Sequence, residues 1–310
     1  MGWIAVVLND SSGTGQCDAA AKRLEEIFAA AGREARISVA QGEQLRSAME
    51  NAIKEGCETL VAGGGDGTIN TAASVLVDRD IPLGVLPLGT LNHFAKDLGV
   101  PLELDDAAKV VIEGVVCRVD VGEVNGQVFI NNSSLGVYPA IVRLRDRYRE
   151  GGWGKWIAAL WAGLAVLRRN PFMAVRIVAE GETIVRRTPL VFVGNNEYHM
   201  SGLQAGSRDS VVGGHLAVYV FKADHRSSLL RLGWQVLLKG PEETRELDLL
   251  TVEGATVETK RAIVPVALDG EVVSLKSPMS YRIRPAALPV LVPEGASACY
   301  PGGSRPSSNR

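Results

Sequence analysis

The chain has 310 residues, enough for one large domain or for two ordinary ones with separate cores. Apolar residues make up 46% of it and the formal net charge is −2, so it is a globular chain without an electrostatic reason to bind nucleic acid. The four cysteines are widely spaced without a CxxC pair, which argues against a zinc site or a disulfide framework and suits a reducing cytoplasm. No run of 18 uncharged apolar residues and no signal peptide is recognisable, so we predict no membrane-spanning helix.

The first hundred residues alternate between strand and helix patterns. Short apolar runs that stop at polar residues predict strands at 3–8, 34–39, 58–62 and 81–86. Apolar residues at helical spacing predict helices between these strands, one through Leu24 and Phe28 and others at 43–54, 69–77 and 91–98. This alternation predicts a three-layer α/β domain over residues 1–120, with a parallel sheet and helices on both faces.

The pattern changes near residue 115, after which strands dominate. They are predicted at 115–121, 127–132, 172–179, 183–193, 215–221, 255–259, 263–268, 272–276 and 280–284. Turn dipeptides such as Asn125-Gly126 and Asp269-Gly270 separate several of them. We therefore predict a β-sandwich domain over residues 121–290, with a helical insert near 153–168. The Pro-, Gly- and Ser-rich residues 291–310 are predicted to form a disordered tail.

A glycine loop between a strand and a helix is the sharpest feature of the sequence. It reads Gly63-Gly64-Gly65-Asp66-Gly67-Thr68. Glycines let the backbone approach a ligand, and the start of the following helix favours phosphate. Asp66 cannot itself attract phosphate, so a cation, and Mg²⁺ above all, is expected beside it. The loop lacks the lysine of a P-loop and the third glycine of a dinucleotide-binding motif. The alternative to a ligand site is a tight turn that binds nothing.

Two further loops of small polar residues follow predicted strands, at Asn9–Gly15 and at Pro87–Asn92. The carboxyl ends of parallel strands lie at one edge of a sheet, where ligands bind. Each loop alone could be an ordinary capped turn, but the three together predict a nucleotide site.

The segments GGGDGTIN and PLGTLNHFAKDLG together resemble the diacylglycerol kinase catalytic family, which includes bacterial lipid kinases and sphingosine kinases. The likeness continues through Arg118–Gly122, Phe129–Asn132 and Leu268–Glu271 and spans about residues 1–285. It implies an N-terminal domain like those of phosphofructokinases and NAD kinases. It also implies ATP and Mg²⁺ as cofactors.

The resemblance implies a role for each matching residue. The nucleotide would be bound by four segments: Asn9, Asp10, Ser11, Ser12 and Gly13; Ser38; Gly63, Gly64, Gly65, Asp66, Gly67, Thr68, Ile69 and Asn70; and Gly89, Thr90 and Asn92. Asp66 and Asp120 would belong to the Mg²⁺ and water network. Asp269 or Glu271 would be the general base, and the sequence does not say which.

The sequence departs from the family pattern at two acidic positions. His93 stands where the family has an aspartate of the metal network, and Gly213 replaces an acidic residue associated with a structural metal. Imidazole is a poor ligand for Mg²⁺. Because Gly213 has no carboxylate, the second, structural metal is not expected.

A Trp-rich apolar segment at 153–167 lies within residues 141–170, which carry seven basic and two acidic residues. Tryptophans with a basic rim suit contact with an anionic membrane surface. The alternative is a helix that is buried against the sandwich. Membrane contact and burial are compatible if this helix lines a pocket for the acyl chain.

Together these features predict an ATP-dependent kinase of diacylglycerol or a related lipid alcohol, peripheral at the inner membrane face. The expected partners are a lipid substrate and the membrane surface but no nucleic acid, and a homodimer is left open. Two alternatives remain. One is a kinase of a soluble alcohol such as a nucleotide or sugar, and the other is a nucleotide-binding regulator without turnover.

Overall fold

The computed structural model describes residues 2–10, 16–140, 142, 172–198, 208, 210–221 and 247–300. The chain divides into two compact units. Unit 1 takes residues 1–121, 208–214 and 284–310, and unit 2 takes residues 122–207 and 215–283. Within the described ranges, no helix is long and apolar enough to cross a membrane. The predicted helix at 153–168 lies outside those ranges.

Unit 1 is built on a parallel sheet in the order β2-β1-β3-β4. The four strands are β1 (Ile4–Asn9), β2 (Ala35–Ala40), β3 (Thr59–Gly64) and β4 (Leu83–Pro87). The last part of β16 (Met279–Val292) joins the sheet parallel to β4, with Val290 opposite Leu83. β3 and β4 are buried along their whole length, as expected for strands with helices on both faces.

Five helices of unit 1 lie within the described residues. They are α1 (Gln16–Ala30), α2 (Glu43–Lys54), α3 (Asp66–Leu76), α4 (His93–Asp97) and α5 (Leu104–Glu113). α1 contacts α5 and α2 contacts α3, so two helical layers enclose the sheet. The predicted α/β fold is confirmed, although α5 was not among the predicted helices.

Unit 2 consists of two antiparallel sheets. One has six strands in the order β12-β11-β10-β7-β14-β15, and the other joins the first part of β16 to β13, β8 and β9, with β5 paired to β6 and β16. The strands are β5 (Val115–Val124), β6 (Gln127–Phe129), β7 (Asn132–Gly136), β8 (Met173–Ala179), β9 (Glu182–Thr188), β10 (Leu190–Asn195), β11 (Leu216–Phe221), β12 (Leu247–Val252), β13 (Gly254–Thr259), β14 (Ile263–Leu268) and β15 (Glu271–Lys276). The predicted β-sandwich is confirmed.

An aromatic pair lies in the core between the two sheets of unit 2. Phe129 and Tyr281 meet edge to face with ring centroids 6.3 Å apart. Gly122 lies opposite Phe129, and a Cβ at this glycine would lie 2.2 Å from the ring. The Tyr281 hydroxyl is 3.0 Å from Ser133 Oγ, and burial raises the pKa of Tyr281 well above its usual range. The glycine therefore makes the space in which the ring packs.

The predicted domain limits need correction at the C-terminal end. β16 serves both units: residues 279–283 alternate between buried and exposed side chains, whereas 287–292 are buried without interruption. The first pattern suits a sandwich strand with one solvated face and the second suits a parallel sheet covered on both faces. Residues 284–300 therefore return to unit 1, and the predicted disordered tail was wrong for 291–300, where β16 ends and a short 3-10 helix (Ser297–Cys299) follows.

The expectation against disulfides was also wrong, because Cys117 and Cys299 form one. They are 182 residues apart in sequence, so their spacing gives no signal that they pair. Cys17 and Cys57 are free and buried, and burial raises the pKa of both thiols. The disulfide ties the segment after β16 to β5, within unit 1.

We expect this disulfide to stabilise unit 1, since a cross-link restricts the unfolded chain. Under oxidising conditions Cys117→Ser should lower the free energy of unfolding by about 2–4 kcal/mol, measured by urea unfolding. Dithiothreitol should lower the midpoint of the wild type and of the control Cys57→Ser, but not that of Cys117→Ser. A wild-type midpoint that is insensitive to reductant would contradict the cross-link.

Candidate active site

The glycine loop joins the end of β3 to the start of α3. Gly65 is the extended residue that precedes the helix, and its carbonyl accepts the N–H groups of Thr68 at 3.0 Å and Ile69 at 3.1 Å. The N–H groups that precede these two, at the start of α3, have no partner inside the helix and carry partial positive charge. The loop therefore presents a helix N-terminus suited to an anion, and nucleotide binding there stays a prediction. The Ile69 side chain itself is buried in the core.

The loops after β3 and β4 contact each other here through main-chain atoms of glycine residues. A Cβ placed on Gly89 would lie 2.4 Å from Gly65 Cα, and the Leu88 N–H donates to the Gly64 carbonyl at 3.1 Å. A Cβ on Gly64 would lie 2.4 Å from Thr68 Oγ1. A side chain at Gly89 would push the loops after β3 and β4 apart, and one at Gly64 would collide with Thr68 on α3. The predicted meeting of strand ends is therefore a close contact of main chains.

Asn92 shapes the loop that follows β4. Its backbone is left-handed, with φ 51°, and its side chain is buried. Asn92 Oδ1 accepts the Gly89 N–H at 3.0 Å, and Nδ2 donates to the carbonyls of Gly89 and Pro87 at 2.9 and 3.2 Å. This side chain is occupied in folding the loop. Thr90 and His93 beside it are exposed.

The loop after β1 is tied to α3 by Asn9, whose Nδ2 donates to Thr68 Oγ1 at 2.8 Å. The Asp10 N–H donates to the Ala40 carbonyl at 3.2 Å, and the exposed Ser38 donates to the Val6 carbonyl at 3.4 Å. Asn9 and Asp10 thus lie at the predicted edge, next to the glycine loop and the end of β2. The predicted ligands Ser11, Ser12 and Gly13 lie outside the described residues.

Asp66 and Asn70 lie one turn apart on one face of α3. Asp66 Oδ1 accepts the N–H of Phe94, from α4, at 3.2 Å. Asn70 Oδ1 is buried without a hydrogen-bond partner. A buried oxygen that lacks a partner is costly unless something else satisfies it, so this face of α3 has acceptor capacity for a ligand or a metal-bound water.

Asp120, the second predicted metal residue, is 3% exposed. Its Oδ2 accepts the Gly214 N–H at 2.6 Å and its Oδ1 accepts the Ala286 N–H at 3.0 Å. These contacts make Asp120 a clamp between three segments of unit 1, and its place in a Mg²⁺ network stays a prediction. Across the described part of the chain, no three acidic, histidine or cysteine side chains gather into a metal cluster.

The two candidate base residues of unit 2 have different surroundings. Asp269 has a left-handed backbone, with φ 47°, and its carboxylate accepts three main-chain N–H groups. Those of Ile130, Asn131 and Asn132 lie 2.8, 2.8 and 2.9 Å from its oxygens. Glu271 begins β15 and is exposed. Asp269 thus holds the 130–132 segment, whereas the carboxylate of Glu271 is open to solvent.

Comparison with known proteins places this arrangement in a family. Residues 4–124 match the diacylglycerol kinase catalytic domain, and residues 153–292 match the YegS C-terminal NAD kinase beta sandwich-like domain. A Mycobacterium tuberculosis protein named diacylglycerol kinase is 30% identical over 259 residues, which cover 80% of this chain and 81% of that protein. The chain belongs to the diacylglycerol kinase family.

Two other comparisons show a similar sequence segment and a similar fold. An Escherichia coli protein named "Probable lipid kinase YegS" is 43% identical over 105 residues, which cover 33% of this chain and 35% of that protein. A crystal structure of a Bacillus anthracis diacylglycerol kinase has a TM-score of 0.68 at 20% identity and covers 95% of this chain and 98% of that one. The crystal structure supports the fold. The family assignment rests on the sequence match to the Mycobacterium tuberculosis protein.

In this diacylglycerol kinase family chain, unit 1 brings together the described residues of the loops after β1, β3 and β4. The amide of Phe94 contacts Asp66 and the segment 208–214 contacts Asp120, and neither was among the predicted site features. Every residue except proline has a backbone N–H, so the sequence does not indicate that the N–H of Phe94 binds Asp66. The segment 208–214 lies some 90 residues after Asp120, and no pattern in the sequence indicates that this segment belongs to unit 1.

The contact between the two loops predicts the effect of Gly89→Ala. The added methyl group would lie 2.4 Å from Gly65 Cα and 2.8 Å from Asn92 Oδ1. The two loops would have to shift, so Mg·ATP binding should weaken roughly 10- to 100-fold. Isothermal titration calorimetry measures this directly. Gly32→Ala is the matched control: its φ is +66°, no atom lies within 4 Å of the added Cβ, and the position precedes β2 at the opposite end of the strands. Equal affinity of Gly89→Ala and wild type would exclude the loop contact from nucleotide binding.

Proposed function

We propose that this protein is an ATP- and Mg²⁺-dependent lipid kinase, which transfers the γ-phosphate of ATP to the hydroxyl of diacylglycerol or a related lipid alcohol. The proposal rests on one observation: the main chains of Gly65 and Gly89 are in close contact next to the carboxylate of Asp66. A triphosphate needs main-chain donors at close range, and its cation needs a nearby carboxylate. Unit 1 offers both.

On the donor side, the loops after β1, β3 and β4 would bind the triphosphate. The glycines leave room for it, while Asn9 and Asn92 hold the loops in place through their side chains. Asp66 and Asn70 would face the metal and its waters with carboxylate and amide oxygens. Bound Mg²⁺ would offset the charge of the phosphates and leave little covalent chemistry to the protein.

On the acceptor side, we assign the general base to Glu271. The acceptor oxygen forms its bond to the γ-phosphorus as the bond to the β,γ-bridging oxygen breaks, and ADP leaves. The hydroxyl proton passes to the Glu271 carboxylate and then to solvent. Asp269 is less suited to this role, because its oxygens already accept three main-chain N–H groups. It would instead fix the turn from which Glu271 projects.

The lipid acceptor is supported by the relatives, of which one is named a diacylglycerol kinase and another a lipid kinase. A lipid acceptor requires access to a bilayer. We propose that residues 141–170, with their tryptophans and basic side chains, dock on the anionic inner face of the membrane. These residues lie outside the described ranges except for Val142, so the proposal rests on their sequence.

The division of labour between the two carboxylates predicts different defects in two isosteric variants. Glu271→Gln should lower kcat by roughly 10²- to 10⁴-fold and leave the unfolding midpoint unchanged, since the base is lost and nothing else. Asp269→Asn should lower the free energy of unfolding by ~1–3 kcal/mol, because an amide cannot accept all three N–H groups. Steady-state kinetics and urea unfolding measure the two effects. A fully active Glu271→Gln enzyme would place the base elsewhere.

The reaction itself is tested with γ-labelled ATP, a panel of lipid alcohols in mixed micelles and anionic vesicles, and a soluble alcohol as comparison. Labelled phospholipid is expected from the wild type in the presence of Mg²⁺ and not after chelation with EDTA. Label in the soluble alcohol alone would overturn the lipid assignment. Failure of the protein to sediment with the vesicles would overturn the proposed membrane contact.

In the same assay, Asp66→Ala should abolish transfer and weaken Mg·ATP binding roughly 10- to 100-fold, with an unchanged circular dichroism spectrum. The matched control is Asp106→Ala, which removes an exposed carboxylate paired with Lys109 on α5. The control should retain the wild-type rate. Wild-type turnover by a folded Asp66→Ala protein would remove this carboxylate from the mechanism.

A further inference from the structure

We propose that Arg208 is a positioning residue for the Mg·ATP site, because its buried ion pair with Asp97 fixes helix α4 and with it the carboxylate of Asp66. The inference rests on the proposed function, because it assigns Asp66 to that site. Arg208 is not placed in contact with nucleotide. It acts through α4.

The ion pair is among the most buried in the described part of the chain. Arg208 Nε and a terminal guanidinium nitrogen lie 2.8 and 2.6 Å from Asp97 Oδ2, and the two side chains are 0% and 7% exposed. A buried charge is tolerated when a partner of opposite sign and hydrogen bonds compensate it. Loss of either partner leaves the other charge buried and uncompensated, so the two residues depend on each other.

Helix α4 needs an anchor of this kind for two physical reasons. It has five residues, too few for a helix that is stable without tertiary contacts. Asp97 is its last residue, and the carbonyl groups at a helix C-terminus carry partial negative charge that repels a carboxylate. The guanidinium of Arg208 neutralises that repulsion. Without it, Asp97 would be driven towards solvent and the end of α4 with it.

The other end of α4 leads to Asp66. Phe94 and Ala95 are 1% and 2% exposed, so the helix is packed in unit 1, and the Phe94 N–H donates to Asp66 Oδ1 at 3.2 Å. A shift of this short helix moves that donor. The carboxylate that we assign to the metal network would then lose one of the contacts that set its orientation.

The segment that carries Arg208 is itself fixed in unit 1. Residues 208–214 belong to unit 1, while the chain on both sides belongs to unit 2. At the far end of the segment, the Val211 carbonyl accepts the Asp120 N–H at 2.9 Å and the Gly214 N–H donates to Asp120 Oδ2 at 2.6 Å. Val211 is 1% exposed. Asp120 therefore anchors one end of the segment to β5, and Arg208 joins its other end to α4.

The test compares Arg208→Met and Arg208→Lys with the wild type in two measurements. The first is hydrogen exchange of the peptide that contains α4, without nucleotide, and the second is the KM for ATP measured separately from the KM for lipid. Arg208→Met should lose protection in α4 and raise the KM for ATP on the order of tenfold, with the lipid KM unchanged. Arg208→Lys keeps the positive charge and should recover part of both losses.

Arg33→Met is the matched control. Arg33 forms a partly buried ion pair with Glu58, which precedes β3 at the end of the strand opposite the glycine loop. Its loss should lower the unfolding midpoint without changing α4 exchange or the KM for ATP. An effect of Arg208→Met confined to the midpoint, as in this control, would overturn the proposal.

Two further outcomes are decisive. If Arg208→Met does not fold, Asp97→Asn, which removes the other charge of the pair, carries the test. Wild-type exchange and KM for ATP in this variant would overturn the proposal. If the wild type does not bind Mg·ATP in calorimetry, the proposed function fails. The exchange measurement still reports whether Arg208 fixes α4, so the two failures are distinguishable.

Discussion

The close approach of two main chains at the carboxyl edge of the unit 1 sheet is the constraint on which the candidate site depends. Gly65 and Gly89 meet so closely that a Cβ on Gly89 would separate the loops after β3 and β4. Parallel pairing of β3 with β4 sets this meeting, because it places both carboxyl ends at one edge. Asn92 then folds the second loop with three hydrogen bonds from one side chain. The result is a surface of backbone groups with little side-chain cover, which is what recognition of phosphate requires.

The candidate acidic residues of the two units fall into two classes according to what their oxygens contact. Asp120 and Asp269 use their oxygens to bind main-chain N–H groups, and Asp97 is neutralised by Arg208. Such carboxylates join distant segments of the chain. Asp66 and Glu271 keep capacity for a ligand, because Asp66 has one described donor and Glu271 is exposed. The structure thus separates carboxylates that hold the main chain in place from those with capacity for a ligand, although the residue type is the same.

Much of the fold was accessible from the sequence because its pattern is local. The apolar runs of β1 and β3 and the helical spacing of α2 depend on neighbours within a few residues, and these elements lie where they were predicted. α5 was missed, as was β12, which continues almost directly into β13. The continuation of β16 past residue 284 was missed as well. Its second half is a buried strand only because it lies beside β4, a partner about 200 residues earlier in the chain.

The sequence by itself determined the family, the two-unit plan, the position of the glycine loop and the pair of candidate base residues, since each is carried by adjacent residues or by a regular period. Tertiary structure alone decided that Asp269 is held by three amides, that Cys117 meets Cys299, and that residues 208–214 return to unit 1. The physical reason is the same in each case. A hydrogen bond or disulfide between residues 94 or more positions apart depends on how the intervening chain folds, and no local pattern records that path.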